Sequence, residues 1–171
     1  MDRAILKFLL LLSLSLFPSS DLIVSSKLEF RHLTIRNGLS QSAISSICQD
    51  KFGYMWFGTQ DGLNRYDSRH FKVYKTSSKN RHSLRSSNIR VIFQSDAGEL
   101  WIGTNDGGLS RFIRNTDRFE NFVHEPGNEN SLSGNRVFAI AEDRNHELWL
   151  GIWGGGLNRF DPKRRSFVRY Q

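Results

Sequence analysis

Apolar and polar positions alternate with a period of two in short runs, and the runs come in groups of four. The group from Ile44 to Tyr74 reads ISSICQDKFGYMWFGTQDGLNRYDSRHFKVY. It returns from Ile89 as IRVIFQSDAGELWIGTNDGGLSRFIRNTDRFENF and from Val137 as VFAIAEDRNHELWLGIWGGGLNRFDPKRRSFVRY. The first run of each copy is apolar on both sides. In the third copy Val137, Ala139 and Ala141 point one way and Phe138 and Ile140 the other, so this strand is expected to be covered on both faces. The second run holds Trp56, Trp101 or Trp149 and shares its face with Gly58, Gly103 or Gly151. Met55 and Phe57, Leu100 and Ile102, and Leu148 and Leu150 occupy the opposite face. A Gly two residues from a Trp leaves room for the indole or for a close neighbouring backbone. The third run is Leu-x-Arg-aromatic, at Leu63, Leu109 and Leu157. The fourth opens at Phe71, Phe119 and Phe167. Gly, Asp and Asn crowd the turns between them, where positive φ is needed.

From Trp56 to Trp101 and on to Trp149 the spacing is 45 and then 48 residues, the period of a propeller blade or a similar solenoid unit. A four-stranded sheet that is apolar on both faces is unstable alone and must be sandwiched between copies of itself. Twisted sheets stacked radially make a propeller. The expected fold is therefore all-β: a partial β-propeller of about three four-stranded blades plus an orphan N-terminal outer strand. The blade repeats span residues 39–75, 84–124 and 132–171, joined by the polar linkers 76–83 and 125–131. Residues 28–35 contain Phe30-Arg31-His32-Leu33, which has the form of a fourth strand and is expected to act as a closing strand. Closed propellers hold about 4 to 8 blades, so the chain reads as a fragment of a longer protein or as an assembly closing with other chains.

Composition adds a compartment. Residues 1–26 place Arg3 and Lys7 before the apolar run 8–17, then Pro18 and small residues, the plan of a secretory signal peptide. The apolar run is about half the ~20 residues that a spanning helix needs. Cleavage is expected after Ser26, leaving residues 27–171 as the incomplete propeller in a periplasmic or extracytoplasmic location. Any membrane attachment then comes only through a missing C-terminal part. Cys48, the single cysteine, can form no internal disulfide and is expected to be buried as a small apolar residue. The net charge of +7 is scattered, so solubility or attraction to an anionic surface is expected, and nucleic-acid binding is not.

Candidate chemistry is sparse. The recurring Asp residues (Asp50 and Asp143, Asp61 and Asp106, Asp67 and Asp161) hold turn positions, where Asx hydrogen bonds explain them. The five His residues show no metal-ligand spacing, and Gly154-Gly155-Gly156 lacks the Lys-Ser/Thr of a phosphate loop. No catalytic residue, metal or cofactor is expected. Trp56, Trp101 and Trp149 are expected to be core staples. The residues that break the repeat are more informative: Trp153-Gly154 stands where the other copies have Gln60-Asp61 and Asn105-Asp106. A Trp in a Gly-rich loop suits a sugar ring or a protein partner, with packing on a neighbouring blade as the alternative. Loops after strand two and loops into strand one emerge on one propeller face, so Trp153, Gln60, Asn105, Asn88 and Arg136 are expected to line a ligand-binding surface.

The residues Gln49-Asp50 with GYMWFGTQDGLNRYD, then ELWIGTNDGGLSRF and ELWLGIWGGGLNRFD, closely resemble the two-component regulator propeller repeat. FRHLTIRNGLSQSAI resembles the opening of the exported sensor regions that carry it. The resemblance covers Phe30 to Gln171. It implies an extracytoplasmic ligand-sensing module of a signal-transduction receptor, often for oligosaccharides, whose kinase or cyclase output lies outside this chain. The alternative is an exported propeller lectin or a fragment of a polysaccharide-active enzyme, which would need acids projecting into a cleft. A third reading is a truncated product with no function. Partners expected are an oligosaccharide or other small ligand, and further blades of the same protein or self-association.

Overall fold

The computed structural model describes residues 29–170, so the proposed signal peptide lies outside the described residues. Twelve strands form three antiparallel sheets, each a meander whose strands pair in chain order. The first blade is β1 (Ile44–Gln49), β2 (Met55–Thr59), β3 (Gly62–Tyr66) and β4 (Phe71–Tyr74). The second is β5 (Ile89–Gln94), β6 (Leu100–Thr104), β7 (Leu109–Ile113) and β8 (Arg118–Phe122). The third is β9 (Val137–Glu142), β10 (Leu148–Ile152), β11 (Gly156–Asp161) and β12 (Ser166–Tyr170).

The two faces of a blade have different jobs. Trp56 is fully buried and packs with Leu100, Ile102, Phe112 and Phe119, which belong to the next blade. Trp101 packs in the same way against Leu148, Leu150, Phe160 and Phe167. Each of these indoles meets the third-strand aromatic of the following blade edge-on, with ring centroids 5.1 Å apart for Trp56–Phe112 and 5.5 Å for Trp101–Phe160. Burying a Trp removes roughly 150–250 Å2 from water, about 4–6 kcal/mol at 25 cal/mol per Å2. Cys48 shares the Trp56 register and is half-buried beside this core.

Register explains the Leu-x-Arg motif. Arg65, Arg111 and Arg159 pair directly with Trp56, Trp101 and Trp149, so each guanidinium lies on the indole face. Arg111 stands 5.7 Å over Trp101 and pairs with Glu99 and Glu120 at 2.6 Å each. The glycine on the same face admits the neighbour's first strand, not the indole. A Cβ on Gly58 would come within 2.7 Å of Ile89, and one on Gly103 within 2.5 Å of Val91 and 2.9 Å of Val137.

One expectation is corrected. Each first strand carries a one-residue bulge, between Ile44 and Ser46, Ile89 and Val91, and Val137 and Ala139. The strict alternation of β9 is therefore broken. Val137 is buried, while Ala139 and Ala141 are exposed. The blade that the segment 28–35 is expected to close lies outside the described residues. Residues 29–34 carry no ladder, and Ile35–Asn37 is a 3-10 turn. Thr34 caps that turn: its amide donates to Asn37 Oδ1 at 2.9 Å, and its hydroxyl accepts from the Arg36 amide. These local bonds hold the segment as a turn, and none of the three sheets extends to it.

The Asp before the tight turn in blades one and three does more than shape it. Asp50 Oδ1 accepts from the Phe52 and Tyr54 amides at 2.9 and 3.0 Å. Its Oδ2 accepts from Trp56 Nε1 at 2.8 Å and from Arg114 Nη2, in the next blade, at 2.5 Å. Asp143 holds Trp149 Nε1 at 2.9 Å in the same manner. Burial pushes the Asp50 carboxyl upward, but the bonds from Trp56, Arg114 and the two amides outweigh it and hold it below the usual range.

Because that value is depressed, the stability Asp50 supplies is present above its unfolded value of about 3.9 and is lost as pH falls through the folded one. Asp50→Asn should lower stability by about 1–3 kcal/mol at neutral pH, and the gap to the parent should close in acid. Urea unfolding followed by Trp fluorescence at several pH values measures this. Gly103→Ala should cost about 1–3 kcal/mol through overpacking at the junction of blades two and three. Gly151→Ala, whose Cβ would meet only Ala139 at 3.3 Å, should stay within about 0.5 kcal/mol in the same assay.

Candidate ligand-binding face

The residue after each second strand is tied to the lead-in of the first strand of its own blade. The Gln60 amide donates to Gln41 Oε1 at 3.2 Å. The Asn105 amide donates to the Asn88 carbonyl at 2.9 Å, and the Trp153 amide to the Arg136 carbonyl at 2.9 Å. The two loop sets therefore meet blade by blade.

Between blades two and three this surface becomes continuous. Arg90 donates from Nε and Nη2 to Asn105 Oδ1 at 3.1 and 2.9 Å. Held there, its guanidinium stands 5.1 Å from the centre of the Phe138 ring. Phe138 in turn lies 5.5 Å from Trp153, with planes 32° apart. Trp153 is 65% exposed and Phe138 41%, so two large aromatic faces are open to water side by side. Asn88 contributes its backbone, and its side-chain oxygen is buried without a hydrogen-bond partner.

Four of the five sequence-derived candidates, Asn88, Asn105, Arg136 and Trp153, thus join one patch. Gln60 occupies the equivalent place on the first blade, where its amide bonds Gln41. Arg90 and Phe138 were missed. Both are the bulged residues of their strands, with Ser45 in the first blade, and a bulge turns its side chain away from the ladder's alternation. A residue out of the apolar rhythm at that position was the available signal: Ser45 and Arg90 are polar where Phe138 is aromatic. The groups gathered here are aromatic, amide and guanidinium, which bind and orient.

Comparison with known proteins agrees with this architecture. The family model for the two component regulator propeller matches residues 38–61, 83–106 and 131–154, one match per blade. Histidine kinase P4 of Formosa agariphila is 42% identical over 60 residues, which are 35% of this chain and 4% of that protein. Two solved structures from B. thetaiotaomicron are similar. The extracellular domain of a protein described as a hybrid two component system superposes with a TM-score of 0.77 at 28% identity, over 82% of this chain and 20% of that one. The extracellular domain of one described as a one component system gives 0.64 at 25% identity, over 77% and 19%. Virginiamycin B lyase from Staphylococcus aureus shares the fold alone, at 13% identity with a TM-score of 0.55. The chain spans a small part of the relatives it matches. Each of its three blades thus matches the two-component regulator propeller repeat.

Proposed function

We propose that this chain is the sensing part of an extracytoplasmic receptor, and that it binds an oligosaccharide on the face built around Phe138 and Trp153. The observation that carries the reading is the pair of exposed, adjacent aromatic rings flanked by a guanidinium already fixed in place. Aromatic faces cover the apolar side of a sugar ring, while Arg136 and the Asn105–Arg90 pair supply donors at its edge. A rigid patch also costs little conformational entropy on binding. The repeat matches and the likeness to extracellular domains of a hybrid two component system and a one component system support the receptor setting and the location outside the cytoplasm. Binding acts by favouring one arrangement of the receptor over another, and an output domain reads that shift.

The outer face of the third blade supports a companion proposal. Blade three presents Trp149, stacked on Tyr170 at 5.4 Å, where blade two presents the buried Trp101. Leu157, Val168 and Tyr170 around it are exposed. This face matches the Leu/Ile face of another blade of the same repeat, supplied by the same protein or by a second copy.

Titration with a panel of neutral and acidic oligosaccharides, followed by Trp fluorescence and calorimetry, tests the site. Trp153→Ala and Phe138→Ala should each weaken binding about tenfold or more, a loss of about 1.4 kcal/mol, with the melting temperature little changed because both rings are exposed. Oligosaccharide binding that is indifferent to both substitutions would remove this face from consideration.

A further inference from the structure

The two blade junctions differ at the turn before the second strand, and the cavity beside it is larger in the second junction, about 580 Å3 against about 400 Å3 in the first. In the first junction three side chains converge. Asp50 takes the Trp56 indole N–H, Arg114 of the next blade bonds Asp50, and the Arg114 guanidinium lies 4.1 Å over the Phe52 ring. In the second junction the corresponding residues are Ser95, Pro162 and Ala97. The turn is unchanged: the Ser95 amide bonds the Glu99 carbonyl as the Asp50 amide bonds that of Tyr54. Only the bulk and the charges are gone. A cavity of about 580 Å3 lies there, with Ser95, Ala97, Trp101 and Pro162 in its wall. That is within the range of about 300–1,000 Å3 usual for small-molecule sites. Trp101 is 1% exposed, and its indole nitrogen has no hydrogen-bond partner, unlike those of Trp56 and Trp149. An orphaned buried N–H costs about 1–3 kcal/mol until an acceptor reaches it.

We infer that the cavity between blades two and three is a second ligand site, and that it takes a small uncharged polyhydroxylated molecule, a monosaccharide or comparable polyol. The charges in its wall select this class. Glu99, Glu142, Glu147 and Asp161 outnumber Lys163 and Arg111, and Arg111 is already paired with Glu99 and Glu120. Glu99 and Glu147 are paired with Arg111 and Arg159, and Glu142 and Asp161 keep the wall acidic, which disfavours an anion. A cation leaves the Trp101 N–H unpaired. Asp96, Glu142 and His146 do bring ligand-type atoms within 4.8 Å of one another at the rim, but Glu142 is committed to the Asp96 amide at 2.7 Å and to His146 at 3.1 Å. A hydroxyl group answers both needs: its oxygen accepts from the indole in the space of the absent Asp carboxylate, and its hydrogen goes to a wall carboxylate. This site is separate from the Phe138–Trp153 face, and neither depends on the other.

The indole N–H resonances of the four Trp residues in the 15N-labelled chain provide the test, titrated with D-glucose, D-galactose, D-mannose and glycerol to millimolar concentrations. The Trp101 resonance, assigned with Trp101→Phe, should shift and saturate while those of Trp56 and Trp149 stay in place. Ser95→Asp with Pro162→Arg rebuilds the first junction's pair and should weaken the response at least tenfold. If that double variant does not fold, Ser95→Asp alone must produce the same loss. The inference is overturned if none of the four probes moves Trp101, or if the shift survives Ser95→Asp. A response confined to Trp153 would also overturn it, while leaving the aromatic face intact.

Discussion

Everything in this molecule follows from the need to cover two apolar faces of a sheet only four strands wide. Neither face can be left to water, so the blade is stable only between neighbours, and the contact must be asymmetric to propagate. One face offers a large flat indole, and the other a row of Leu and Ile side chains with an aromatic beside them. The glycine beside the indole lets the next blade's first strand approach within contact distance. Removing any of the three features loosens the junction, which is why they travel together through all three repeats.

Much of this was legible in the chain because packing imposes a period on it. The Trp, the Gly two residues later and the Leu-x-Arg-aromatic motif each occupy a register position with one physical job, and three copies separate signal from coincidence. What escaped reading depended on bonds that the period does not encode. The bulges turn Arg90 and Phe138 onto the loop surface, yet a bulge leaves no residue type of its own. Asp50 and Asp143 were understood as turn formers, which they are, but their second oxygen holds an indole six residues away. The turn at Ile35–Asn37, held by Thr34 and Asn37, likewise rests on local bonds outside the repeat.

Departures from the repeat carry the specific content. The loop after β10 replaces an amide-carboxylate pair by Trp153-Gly154, and this creates an aromatic surface. The turn before β6 replaces Asp by Ser, and this leaves an indole N–H without its acceptor. Scaffold and recognition are thus divided within each repeat. Positions that face a neighbouring blade keep the repeat pattern, and positions that face a loop surface or a junction's outer end are free to vary.

The salt links at the outer rim have opposite polarity at the two junctions. Asp117, in the turn before β8, reaches back to Lys72 at 2.5 Å and Arg65 at 3.7 Å. Arg165, at the same position before β12, reaches back to Glu120. Were the third blade to dock on the first, Arg165 would meet Lys72 and Arg65. Were two copies of the second blade to dock on one another, Asp117 would meet Glu120. Both errors bring like charges together. Three modules of one repeat therefore differ in the sign of their rim charges, and the order along the chain is the one that sets Asp117 against Lys72 and Arg165 against Glu120.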